Sequence, residues 1–133
     1  EPIFWDYHVT LLTLDTRDLQ LWDFDSTLPL PTPFSQWWHA TFPLLDLLSE
    51  REKPYFRVID STVFLRKFSS DRRHMKRSEG GWQAPVPPWP IIQSSEDETT
   101  HNLSQFIDMQ DDAFYGTLHS SESFWQWASE QAT

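Results

Sequence analysis

Residues 4–24 read FWDYHVTLLTLDTRDLQLWDF, and the fold turns on how this stretch pairs with itself. Phe4 to Leu14 is dense in β-branched and aromatic residues, with apolar side chains at both parities, which predicts a strand buried on both sides. Asp15-Thr16-Arg17-Asp18 is polar and turn-like, and Leu19 to Phe24 reads as a second strand, so the pair forms a hairpin. A turn centred between Asp15 and Thr16 sets His8 opposite Asp23, on one face, with Cβ atoms roughly 5 Å apart. An imidazole beside a carboxylate on adjacent buried strands is the orienting half of a nucleophilic triad. A one-residue change of register would turn Asp23 to the other face. A His near an Asp is more often a structural pair than a catalytic one, so geometry alone leaves both readings open. Asp23 and Asp25 also share a face, but nothing else in the chain points to paired-carboxylate sugar chemistry.

Outward from the hairpin, Asp25 to Pro33 holds three prolines, cannot continue a ladder and reads as a loop. Phe34 to Leu48 has helical spacing with a break at Pro43, and Glu50 to Pro54 is a solvated connection. Tyr55 to Ile59 is a short strand, and Asp60 or Ser61 caps a helix through Val63, Phe64, Leu65 and Phe68. Ser78 to Pro90, rich in Gly and Pro around Trp82 and Trp89, reads as an ordered loop, and acidic Ser94 to Thr100 as a mobile excursion. Asn102 caps a helix Leu103 to Met109, Phe114 to Leu118 is a last strand, and Ser120 or Ser121 caps a helix bearing Phe124, Trp125 and Trp127. The order β-β-α-β-α-loop-α-β-α predicts one α+β domain over 1–133, with a mostly antiparallel sheet flanked by helices.

Composition narrows the function classes. The net charge of −10 repels polyanions, so neither nucleic acid nor an anionic membrane surface is an expected partner. No apolar run approaches about 18 residues, so no membrane span is expected. Glu1-Pro2-Ile3-Phe4-Trp5 lacks the features of a signal peptide and reads as the middle of a strand, as though the chain were cut into. There is no cysteine, which removes disulfides, thiolate metal sites and thiol catalysis from these 133 residues and fits an intracellular protein. His39, His101 and His119 have no ligand spacing and Asp108 to Asp112 lacks the glycine and final glutamate of a calcium loop, so no metal or other cofactor is expected. The basic run Arg72 to Arg77 reads as a solvated helix end, and the Trp37-Trp38 and Trp125/Trp127 pairs as core or interface rather than a sugar platform.

Several blocks then resemble one family in order. Trp5-Asp6-Tyr7-His8-Val9 is similar to the Trp-Asp-Tyr-His segment of the protein N-terminal glutamine amidohydrolases. Trp22-Asp23-Phe24-Asp25-Ser26-Thr27-Leu28-Pro29 resembles their Asp-x-Asp-x-x-Leu-Pro segment. Phe56 to Ile59, Phe68 to Lys76, Gly81-Trp82, the Pro-rich stretch to Pro90 and Asn102 to Ile107 extend the likeness almost to the end. The resemblance implies a papain- or transglutaminase-like fold and a Cys-His-Asp hydrolase that converts an N-terminal Gln of proteins to Glu, releasing ammonia into an N-degron pathway. It implies His8 as general base and acid and Asp23 as its orienting carboxylate; Asp25 and Asp71 are the candidates to meet the substrate's α-ammonium. Bland readings compete for the last two, a loop-start cap for Asp25 and a partner of Arg72 or Arg73 for Asp71.

The chain departs from the family at the nucleophile, whose segment should precede Glu1. The domain is therefore expected to be truncated at its N-terminal side and inactive alone, with the cysteine supplied by that segment or by a second chain. An apolar face near Val9, Leu11 and Trp22 should then be exposed, giving poor solubility or calling for a covering partner. The protein is otherwise expected to be a cytoplasmic or nuclear monomer. The alternative is a non-catalytic relative that binds N-terminal residues or serves as an interaction module; a cysteine-protease-like fold with altered substrate choice is a weaker third.

Overall fold

A computed structural model describes residues 3–16, 18–96 and 98–131. Its strands are β1 (Leu11–Leu14), β2 (Leu19–Trp22), β3 (Thr32–Pro33), β4 (Phe56–Val58) and β5 (Thr117–His119). Its helices are α1 (Phe34–Thr41), α2 (Ser61–Lys67), α3 (Leu103–Ile107) and α4 (Ser121–Gln131). The architecture is α+β, with small sheets and helices. The chain divides into two compact units, residues 1–56 with 119–133, and residues 57–118. Among the described residues no helix is long and apolar enough to cross a membrane.

In the first unit the hairpin forms, but it is shorter than expected. β1 and β2 pair antiparallel from Leu11↔Trp22 to Leu14↔Leu19, closed by the Asp15 amide donating to the Asp18 carbonyl at 3.2 Å. Arg17 of that turn, like Glu1 and Pro2 of the opening segment, lies outside the described residues. Phe4 to Thr10 is not strand, and Phe4 is 92% exposed, so the expectation of a long strand buried on both faces is corrected. The cause lies in the partner: after Trp22 the Asp23 carbonyl accepts from the Ser26 amide at 3.2 Å, and this turn carries the second strand away. Residues ahead of Leu11 then have no ladder to join.

The proline-rich segment is corrected too. Thr32–Pro33 is not loop but pairs antiparallel with β2, Leu21↔Thr32 and Gln20↔Pro33. Proline is tolerated because β3 is an edge strand in the order β1-β2-β3 and its missing N–H breaks no second ladder. β3 runs directly into α1, which Pro43 ends as expected, with a single 3-10 turn following at Leu45–Leu47. Leu19 and Leu21 of β2, Phe34, Trp37 and Trp38 of α1, and Phe124 and Ala128 of α4 are buried and form the core. Ring contacts knit it: Phe56 stacks on Phe124 at 4.1 Å, and Phe34 meets Phe124 edge-on at 5.6 Å. Ser120 caps α4 by accepting from the Ser123 amide at 3.2 Å, whereas Ser121 is buried and donates to the Pro54 carbonyl at 2.6 Å.

The second unit closes on Phe64, Phe68, Phe106 and Phe114, whose rings meet edge-on around Phe106 at 5.4, 5.4 and 4.9 Å. Arg57 on β4 donates to four backbone carbonyls, those of Phe106, Asp108, Asp111 and Tyr115, and so gathers the loop between α3 and β5. Gly116 precedes β5 at φ +85°, and a Cβ there would lie 2.5 Å from Ile59 Cγ1 and 2.6 Å from the Val58 carbonyl, so only glycine fits. Asp60 caps α2 as expected, accepting from the Thr62 amide at 2.8 Å. Asn102 does not cap α3 with its side chain; the amide instead bridges the Ser69 N–H (2.9 Å) and the Lys67 carbonyl (2.7 Å). Ser94, expected to open a mobile excursion, is buried; its amide donates to the Ser69 hydroxyl oxygen and its own hydroxyl donates to the Arg66 carbonyl.

Candidate active site

Three polar side chains converge where β2 ends. His8 Nε2 lies 2.9 Å from Asp23 Oδ1, and His8 Nδ1 lies 3.5 Å from Asp25 Oδ2. The His8 side chain is 12% exposed and that of Asp23 5%, while Asp25 is 79% exposed, so the dyad is enclosed and its second carboxylate open to solvent. No ladder sets this pairing: the strands end at Leu11↔Trp22, and His8 meets Asp23 from the irregular segment ahead of β1. The expected cross-strand opposition of His8 and Asp23 is therefore corrected, while the contact between their side chains is present. His8 faces both acids of the Asp-x-Asp segment, one at each ring nitrogen.

Asp23 is held by three donors. Oδ1 takes His8 Nε2 and the Asp25 amide (3.1 Å), and Oδ2 takes the buried indole N–H of Trp37 at 2.9 Å. Burial is the largest single influence on its pKa and pushes it up, but the indole, the imidazole and the amide together outweigh it and hold the carboxyl below the usual range. An ionised Asp23 accepts only, so the His8 nitrogen facing it carries a proton, which leaves Nδ1 as the ring's position for exchanging one. The Trp5 ring lies on the imidazole face, centroids 4.2 Å apart and planes 11° off parallel, which fixes the ring's tilt.

The ligand atoms of His8, Asp23 and Asp25 all lie within 4.8 Å of one another, a spacing that could hold a metal ion. Both Asp23 oxygens and His8 Nε2 are already engaged in hydrogen bonds with one another or with Trp37 and Asp25, so an ion would have to displace those donors. Asp71 belongs to the second unit, where Arg73 grips it through Nε at 2.9 Å and Nη2 at 2.6 Å; His101 Nδ1 is 3.4 Å away. The Arg73 hydrogen bond chiefly holds its carboxyl far below the usual range. Val9 and Leu11 are 65% and 47% exposed, in line with an open apolar face, whereas Trp22 is half-buried with its indole on Thr13 Oγ1.

Trp5 and Trp37 are the site residues that reading along the sequence missed. Trp5 precedes His8 by three residues, and stacking requires the bend at Asp6, which no strand pattern anticipates. Trp37 stands on the buried side of α1, where helical spacing marks it as core; its N–H finds Asp23 only because β3 brings α1 against β2.

The sequence model of the N-terminal glutamine amidase family matches residues 1–128. The protein N-terminal glutamine amidohydrolase of Homo sapiens is 35% identical over 124 residues, 92% of this chain and 60% of the relative. That of Bos taurus is likewise 35% identical, over 92% of this chain and 59% of the relative. That of Arabidopsis thaliana is 40% identical over 113 residues, 80% of this chain and 49% of the relative. The chain thus spans only about half to three fifths of the length of these curated relatives.

Proposed function

This chain belongs to the N-terminal glutamine amidase family, and on that premise we propose that it carries the His-Asp part of an enzyme that deamidates N-terminal glutamine of proteins. The observation that carries this reading is the 2.9 Å contact from His8 Nε2 to a buried, triply held Asp23. His8 is the general base and acid, Asp23 its orienting carboxylate, and the thiol comes from a segment outside these 133 residues, which contain no cysteine. That segment completes a papain- or transglutaminase-like catalytic domain of which 1–133 is one part, in a protein of the cytoplasm or nucleus.

In this reading the thiol meets His8 at Nδ1 and gives it a proton, since Nε2 is spent on Asp23. The thiolate attacks the side-chain amide carbon; as the tetrahedral intermediate collapses, Nδ1–H protonates the departing nitrogen and ammonia leaves. Water, deprotonated by Nδ1, then attacks the thioester, releasing the side-chain carboxylate of glutamate and the free thiol. Asp25, exposed and 3.5 Å from Nδ1, is placed to accept the α-ammonium of the substrate and to steady the imidazolium. Asp71 stands as the second ammonium candidate, but its carboxylate would first have to leave Arg73.

The test is ammonia release by the full-length protein from peptides that begin with Gln, set against the same peptides beginning with Asn or carrying an acetylated N-terminus. The expected result is release from the Gln-initiated peptide alone. Binding of such peptides with no release would favour instead a non-catalytic module that recognises N-terminal residues, a reading to which the missing cysteine also lends itself.

A further inference from the structure

We propose that Trp37 is a positioning residue for this reaction: its indole N–H anchors one oxygen of Asp23 and so fixes the direction in which the other grips His8. The inference rests on the catalytic reading of His8 and Asp23 given above. An aspartate carboxylate turns in a broad well about its terminal torsion, so a single bond to His8 would leave the pair free to swivel. Here Oδ2 is tied to Trp37 Nε1 at 2.9 Å while Oδ1 takes His8 at 2.9 Å and the Asp25 amide at 3.1 Å, and the carboxylate plane is determined.

The anchor is itself immobile. Trp37 is 3% exposed, and its ring packs against Phe34 (6.2 Å), Trp38 (6.4 Å) and, edge-on, Phe42 (5.6 Å). Donor and acceptor come from neighbouring elements of one unit, since α1 continues from β3 and β3 pairs with the strand that delivers Asp23. The same N–H favours the ionised carboxylate, working against the burial that tends to neutralise it. Trp37 touches neither substrate nor thiol in this scheme, so its loss should act on turnover through the alignment of His8.

The experiment replaces Trp37 of the full-length protein with 3-benzothienylalanine, which keeps the ring's shape and lacks the N–H, alongside Trp37→Phe. Trp38→Phe is the control, a neighbouring residue 5% exposed in the same aromatic core with no bond to Asp23. For the isostere we expect kcat to fall about 10- to 100-fold, the loss of one hydrogen bond to a charged group, with KM little changed. The Asp23 side-chain carbon, followed by 13C NMR, should titrate at higher pH than in the parent, and the acid limb of kcat/KM should move with it. Trp38→Phe should leave both midpoints in place. A native kcat and an unmoved Asp23 titration in the isostere would overturn the proposal, as would the same shifts in Trp38→Phe. Full ammonia release by His8→Ala would sink the catalytic reading instead, and the Asp23 titration would still report on the Trp37 bond.

Discussion

His8→Ala is expected to abolish ammonia release from Gln-initiated peptides, by at least about a thousandfold in kcat/KM. The substitution removes three things together. The thiol loses the base that makes it a nucleophile, the amide nitrogen loses the acid that lets it depart, and the thioester loses the base that activates water. No other described imidazole approaches Asp23 within hydrogen-bonding distance, so a substitute base is not at hand. The fold should tolerate the change, since the ring makes its contacts with Trp5, Asp23 and Asp25 outside the ladder of β1 and β2. Peptide assays on the variant and on the parent protein, with thermal midpoints measured in parallel, separate lost chemistry from lost folding.

Asp23→Asn is the second large effect, and it is expected to lower kcat by about 10³- to 10⁴-fold, the scale on which a wrongly held imidazole tautomer costs a triad enzyme. Asparagine is isosteric but offers one acceptor oxygen where aspartate offers two. Three donors point at this group, from His8, Trp37 and the Asp25 amide, so one side must now face N–H against N–H. If the amide carbonyl keeps Trp37, its NH2 faces His8, and the ring must present a lone pair at Nε2 and carry its proton on Nδ1, where the thiol needs the base. A pH signature accompanies the loss. The Asp23 pKa is lowered on folding, so its ionised form contributes stability that is present above the ordinary value of 3.8 and is lost as pH falls through the lower folded value. Urea midpoints of the parent should therefore drop more steeply below about pH 4 than those of Asp23→Asn, a difference that cancels the other acids common to both proteins.

How far the sequence carried can be judged from particular residues. The hairpin reading brings His8 and Asp23 together, and their side chains do meet, but not as a cross-strand pair: the ladder stops at Leu11↔Trp22 and His8 lies ahead of it. The length of the first strand was not legible. Phe4, Trp5, Tyr7 and Val9 carry β propensity, but propensity supplies no partner, and β2 turns away at Asp23. Thr32–Pro33 was hidden by its prolines, which forbid a central strand and permit an edge. The capping of α2 by Asp60 was local and therefore readable, whereas Asn102 spends its amide on residues more than thirty positions upstream. Trp37 could be marked as buried from its place on the helix, but the bond from its one polar atom depends on how β3 sets α1 against β2. Asp25 and Asp71 looked equivalent in sequence; one stands open beside His8 and the other is clasped by Arg73.

The central claim is that a thiol outside these residues is activated by His8, and the rate of cysteine alkylation in the full-length protein tests it most directly. Iodoacetamide at mildly acidic pH, read by intact mass and peptide mapping, should label one cysteine far faster than any other, because a thiolate paired with an imidazole persists where an ordinary thiol, with a pKa of about 8.5, is protonated. His8→Ala should bring that site down to the background rate. A full-length protein with no cysteine, or a fast-reacting cysteine whose rate is the same in His8→Ala, would contradict the account.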